Sequence, residues 1–203
     1  MLAGNLARGS TDRYLLPPAD TAAASPRPAS TPLAMLTIVL RLLHVVLGAI
    51  WVGAAFVVAF FLFPSIRSSG PAGGAVMRQI AGVRKMPVYL TIIGWVTVLS
   101  GLTMYLRDSL GANSAWGRSP AGITYGVGGT LAIVAIMLGT FWNRPTADKM
   151  TALGAKLQSA GTPPPADLVS EMTRVQDTFS KASKIVSVLV LGAAAAMSIA
   201  RYL

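Results

Sequence analysis

Four apolar runs, each close to the ~20 residues an α-helix needs to cross ~30 Å of hydrocarbon, constrain this chain more than any other feature. They are Leu42–Phe63, which extends back to Leu33 through Arg41; Met86–Leu106; Ile123–Trp142; and Ile185–Leu203. Pro64 is expected to stop the first, and "NRP" the third. Arg41, His44 and Arg201 are the only intruders, all near span ends. The chain is 12% charged and 53% hydrophobic, against about 25% charged for a soluble domain. The pattern predicts an all-α membrane protein, a four-transmembrane-helix bundle.

Residues 1–32 differ sharply from the rest. "PPADTAAASPRPASTP" has no apolar period and reads as a low-complexity extended tail that does not fold alone. It lacks the apolar core of a signal peptide. The membrane domain is therefore expected over residues 33–203.

Lys and Arg set the expected orientation. The loops after spans one and three carry Arg67, Arg78, Arg84, Lys85, Arg144, Lys149, Lys156, Arg174, Lys181 and Lys184, ten of the seventeen cations. By the positive-inside rule these loops face the cytoplasm and its anionic lipids, with both termini periplasmic. The formal charge of +10 is then explained by headgroups, and no basic run with interleaved aromatics points to nucleic acid.

The second of these loops has its own pattern. Leu168, Met172, Val175, Phe179 and Ala182 recur at helical spacing, and no breaker separates them from span four. Met150, Leu153 and Leu157 form a matching stripe after Pro145, with "GTPPPAD" as the turn. A cytoplasmic helical hairpin over about residues 146–184 is expected, its second arm continuous with span four from about Ala166. Helices lying flat in the headgroups are the alternative.

Chemistry is sparse. All seven acids, Asp12, Asp20, Asp108, Asp148, Asp167, Glu171 and Asp177, lie outside the spans. Proton relays and cation carriers normally need intramembrane carboxylates, so their absence argues against a proton-coupled transporter. The absence of cysteine excludes thiolate sites, and with one histidine the sequence argues against triads and compact metal clusters. His44 has two readings. It is an interfacial residue bonding a nearby acceptor, or it ligates a haem or other tetrapyrrole. In the second, Met197 and Met104 lie at similar depth, while Arg41, Arg107 and Arg201 stand ready for propionates. Otherwise those arginines snorkel to headgroups.

"LHVVLGAIWVGAAFVVAFFLFPSI", with its His, Trp-x-Gly and closing Pro, resembles the first helix of a loose group of bacterial four-helix membrane proteins. The group includes integral membrane proteins similar to the copper-resistance protein CopD and, more distantly, HemJ-type protoporphyrinogen oxidases. "AAAAMSIARYL" and the charged hairpin before it are similar too, so the resemblance covers about residues 35–203. It implies a four-helix fold in a bacterial inner membrane. In HemJ-type proteins the first-helix histidine is implicated in haem binding, and the matching position is His44. Those proteins also rely on a lysine, and here Lys85 stands at a span boundary. The CopD-like branch implies copper, whose sites use several His or clustered Met ligands.

The expected function is a non-catalytic accessory subunit, without a cofactor, that stabilises a larger respiratory or photosynthetic membrane complex. Its partners are other membrane subunits. Small residues on every span suit close helix approach, and the tail adds extended contacts. A haem-handling protein using His44 is the alternative, followed by copper transport.

Overall fold

The computed structural model describes residues 32–110 and 115–203. The tail lies outside them, except that Pro32 opens the first helix. Helix α1 runs Pro32–Ser68. Gly70, whose φ of +56° supplies the left-handed step that ends α1, is also the first residue of α2, Gly70–Met77. A π turn, Arg78–Val83, follows α2. Then come α3, Met86–Leu110, α4, Pro120–Ser159, and α5, Ala166–Ala200. Helices α1, α3, α4 and α5 are each long and apolar enough to span a membrane. The chain forms an all-α bundle of four such helices.

Around the bundle, α1 packs on α3, α3 on α4, α4 on α5, and α5 back on α1. Its centre is a cluster of Trp51, Val98, Ala135, Ile136, Val186 and Val190. Lipid tails are as apolar as these side chains, so burial does not drive this association. Close fit and interhelical hydrogen bonds do. One such bond joins Trp95 Nε1 of α3 to Thr140 Oγ1 of α4 at 3.1 Å.

Helix α5 has 35 residues, about 52 Å at 1.5 Å per residue. It is continuous through Ile185, and its first half stands beyond the bundle. There Leu168, Met172, Val175 and Phe179 pack on Ala147, Met150 and Leu153 of α4, the hairpin expected from the two stripes. Lys149 Nζ meets Glu171 Oε1 at 2.8 Å, and Arg67 Nη1 meets Asp177 Oδ1 at 2.6 Å. The hydrogen bond and charge of Lys149 lower the Glu171 carboxyl below its ordinary range. Both pairs are exposed, where solvent screening leaves such contacts little effect on stability. The first joins the two arms, and the second joins the α5 arm to the end of α1.

Two expectations fail in the same way. Neither Pro64 nor "NRP" ends a helix; α1 passes through Pro64 and α4 through Pro145. A proline inside an α-helix loses an N–H bond, and its ring meets the carbonyl four residues back. In both places a π turn, Val58–Leu62 or Gly139–Asn143, directly precedes the proline-bearing turn. Phe63 N–H reaches back five residues to Val58 O, and Arg144 N–H does the same to Gly139 O. The wider turn lets the chain continue past the proline. Phe63 is thereby carried into the hairpin core, 3% exposed, with its ring 4.8 Å from that of Phe179.

Candidate functional site

His44 faces α3. Its Nδ1 lies 2.8 Å from the backbone oxygen of Thr97. A carbonyl only accepts, so Nδ1 donates in this bond. Space for the ring comes from Gly101, where a Cβ would lie 2.5 Å from His44 Cε1. One turn further along α1, Gly48 abuts Thr97 Cγ2. Three residues beyond, Trp51 rests against Gly94. The face His44, Gly48, Trp51 thus interlocks with Gly94, Thr97, Gly101. Thr97 O also accepts from Ser100 Oγ at 3.0 Å.

The other residues of the tetrapyrrole reading are spread over the same end of the bundle. Met104 is half-buried on α3, one turn beyond Gly101. Met197 is half-buried in the seam between α5 and α4, where its Cγ would lie 2.9 Å from a Cβ on Gly128. His44 is in the α1–α3 seam and Met197 in the α4–α5 seam. Arg41 is exposed. Arg201 is exposed too, and its guanidinium lies 5.2 Å from the Tyr202 ring centroid. Arg107 is engaged with Thr37 Oγ1 of α1 and with Asp108. Among the described residues, no three His, Cys, Asp or Glu side chains come together.

A second site lies at the hairpin end. A cavity of about 110 Å³ runs from Trp51 and Ile136 in the bundle centre to Phe63 and Phe179 below it. All three π turns contribute to its wall, through Val58 and Leu62, Ile80 and Ala81, and Gly139 and Asn143. A π turn shifts the following side chains around the helix, and such turns concentrate at functional sites. The wall is apolar except near Asn143, Arg144, Ser183 and Thr91. Asn143 Nδ2 lies 3.4 Å from Ser183 Oγ, whereas Asn143 Oδ1 is buried with no hydrogen-bond partner.

No family model, curated protein or solved structure matches the chain.

The sequence held one signal for the second site: prolines inside patterns that remain apolar and helical on both sides. Pro64 and Pro145 can be taken as stops or as the cause of a local rearrangement, and the structure takes the second course. Asn143 stood in "NRP", where it read as a breaker.

Proposed function

We propose that this chain is a non-catalytic integral membrane subunit that stabilises a larger complex by docking another membrane helix on α1. The observation that supports it best is Gly53. A Cβ there would meet nothing within 4 Å, and the residue is exposed. By contrast Gly48, Gly94, Gly101 and Gly128 all face a neighbouring helix of this chain. Ala49, one turn before Gly53, is exposed as well. Together they form a small-x-x-x-small pair on the outside of the bundle, the pattern by which membrane helices approach closely. Helix α1 is also the least covered span.

In this reading the bundle sits in a bacterial inner membrane, with the hairpin against cytoplasmic anionic lipids and the termini periplasmic. A cysteine at position 80 should label only from the cytoplasmic side; labelling from the periplasm reverses the topology.

Affinity purification from native membranes should recover stoichiometric membrane partners. Gly53→Leu is expected to lower their recovery at least tenfold while leaving the four spans inserted. Deleting residues 1–30 should weaken retention further. A wild-type chain that purifies alone would refute the subunit reading.

One observation favours the tetrapyrrole reading. Histidines that hold metals donate their second nitrogen to a carbonyl or carboxylate, and His44 Nδ1 does this to Thr97 O. The same bond also suffices for a purely structural histidine. His44→Ala is expected to leave both assembly and absorbance unchanged; a Soret band in the isolated chain that this substitution bleaches would give precedence to haem.

A further inference from the structure

An open groove lies between the end of α1 and the middle of α5. Phe63, Pro64, Arg67 and Ser68 line it from α1, and Ser180 and Lys184 from α5. The apolar run of α1 ends at Phe63 and that of α5 begins at Ile185. The groove therefore stands where acyl chains give way to headgroups. We propose that it binds one anionic phospholipid, whose phosphodiester sits between Arg67 and Lys184. This requires only that the four helices span a membrane; neither the subunit reading nor the orientation enters.

The two cations come from different helices and meet only through the packing of α1 and α5. Asp177 Oδ1 accepts from Arg67 Nη1 at 2.6 Å. That contact anchors the guanidinium at the groove and leaves its other N–H donors for an oxyanion. Lys184 is exposed and makes no ion pair among the described residues. Arg67 and Lys184 against Asp177 leave one positive charge in excess, the match of a phosphodiester monoanion.

The same charges disfavour a zwitterionic head. The one acid at the groove is already engaged by Arg67, so it is not free for an amine. Lys181, three residues before Lys184 and hence its neighbour on the helix surface, is exposed and repels a second cation.

Ser180 adds a hydroxyl. Ser68 and Thr178 donate theirs to carbonyls of their own helices. Ser180 has no side-chain partner among the described residues, and it is half-buried in the groove wall. A phosphate oxygen can accept from it.

Toward the midplane the exposed surface turns apolar. Phe60, one turn before Pro64, and Val188, one turn after Lys184, are both exposed. They offer an acyl chain a track that a free phosphate cannot use.

The test uses the full chain in detergent micelles, titrated with dioleoylphosphatidylglycerol or dioleoylphosphatidylcholine and read by native mass spectrometry. One phosphatidylglycerol per chain should bind saturably, about tenfold more tightly than phosphatidylcholine. Arg67→Gln and Lys184→Gln should each weaken it about tenfold, and Ser180→Ala about threefold, the scale of charged and neutral hydrogen bonds. Without lipid the Tm of these variants should match wild type, since Lys184 has no ion pair to lose and the Arg67–Asp177 pair is exposed. Arg84→Gln removes an exposed cation at another span boundary, outside the groove, and should leave the affinity within twofold of wild type. Inorganic phosphate at the lipid's concentration should not displace it.

Equal losses in Arg84→Gln and Lys184→Gln would indicate general attraction to a basic surface and overturn the proposal. Equal affinity for the two lipids, or binding unchanged by both Arg67→Gln and Lys184→Gln, would overturn it too. Displacement by inorganic phosphate would assign the groove to a free anion and remove the lipid as its occupant.

Discussion

Phe179→Ala should open the hairpin while leaving the membrane bundle assembled. Phe179 is 8% exposed, and its ring packs edge-on against Phe63, itself 3% exposed. Around the pair stand Ala147, Met150, Leu153 and Val175. This cluster lies beyond the bundle centre, beside the exposed ion pairs, and in the proposed topology it stands in water, where apolar burial is a driving force. Removing a buried phenylalanine ring from such a core costs about 3–5 kcal/mol. The surface pairs Lys149–Glu171 and Arg67–Asp177 contribute too little to compensate. Limited proteolysis should therefore cut the variant between residues 146 and 180 at least tenfold faster than wild type. The intrinsic fluorescence of Trp51 and Trp95, inside the bundle, should be retained. Equal cleavage rates would mean that Phe179 is not the keystone of the hairpin. Loss of the bundle signal along with the hairpin would mean that the two clusters fold as one unit.

That separation shows which parts of the fold a sequence can reveal. The spans are legible because length and hydropathy act locally, residue by residue. The hairpin is legible for a related reason: Leu168, Met172, Val175 and Phe179 repeat at the helical period without interruption. Continuity past Pro64 and Pro145 is not legible, because local rules give a proline inside a helix a cost and nothing local shows how that cost is absorbed. The π turns absorb it in both helices by moving one hydrogen bond from the fourth to the fifth residue back.

The sites follow the same division. His44 stands out as the one histidine, but its partner Thr97 lies 53 residues away and has no pattern that points to it. Asn143, Ser183 and Trp51 come from three different helices, and only the packing of α1, α4 and α5 brings them to one cavity. The small residues were visible as a class. Their division into those filled from within and those left open needed the interhelical contacts.

The division among the glycines yields the second large effect. Gly94→Leu should destabilise the bundle severely, whereas the same substitution at Gly53 should not. A Cβ at Gly94 would stand 2.5 Å from Ile136 Cδ1 and 3.0 Å from Trp51 Cε2. Ile136 is 2% exposed and Trp51 6% exposed, both in the central cluster; a lone Cβ can be met by a shift of Ile136 Cδ1 toward the cavity that both residues line, whereas a leucine also meets the Trp51 ring. Overpacking of a dense core costs about 1–3 kcal/mol for extra methylenes, and occasionally more. Leucine adds four carbons at a point where the first already overlaps, so the upper end of that range is expected. At Gly53 a Cβ meets nothing within 4 Å, so in the isolated chain a leucine there overlaps no other side chain. Thermal unfolding in detergent, followed by tryptophan fluorescence, should show a clear drop in Tm for Gly94→Leu. Gly53→Leu should stay close to wild type. Gly94→Ala provides a graded control, since it introduces the same Cβ alone and should fall between wild type and Gly94→Leu. Equal melting of the two leucine variants would mean that the α1–α3 seam is not held by close approach at Gly94. The interlock that positions both His44 and Trp51 would then have to be abandoned.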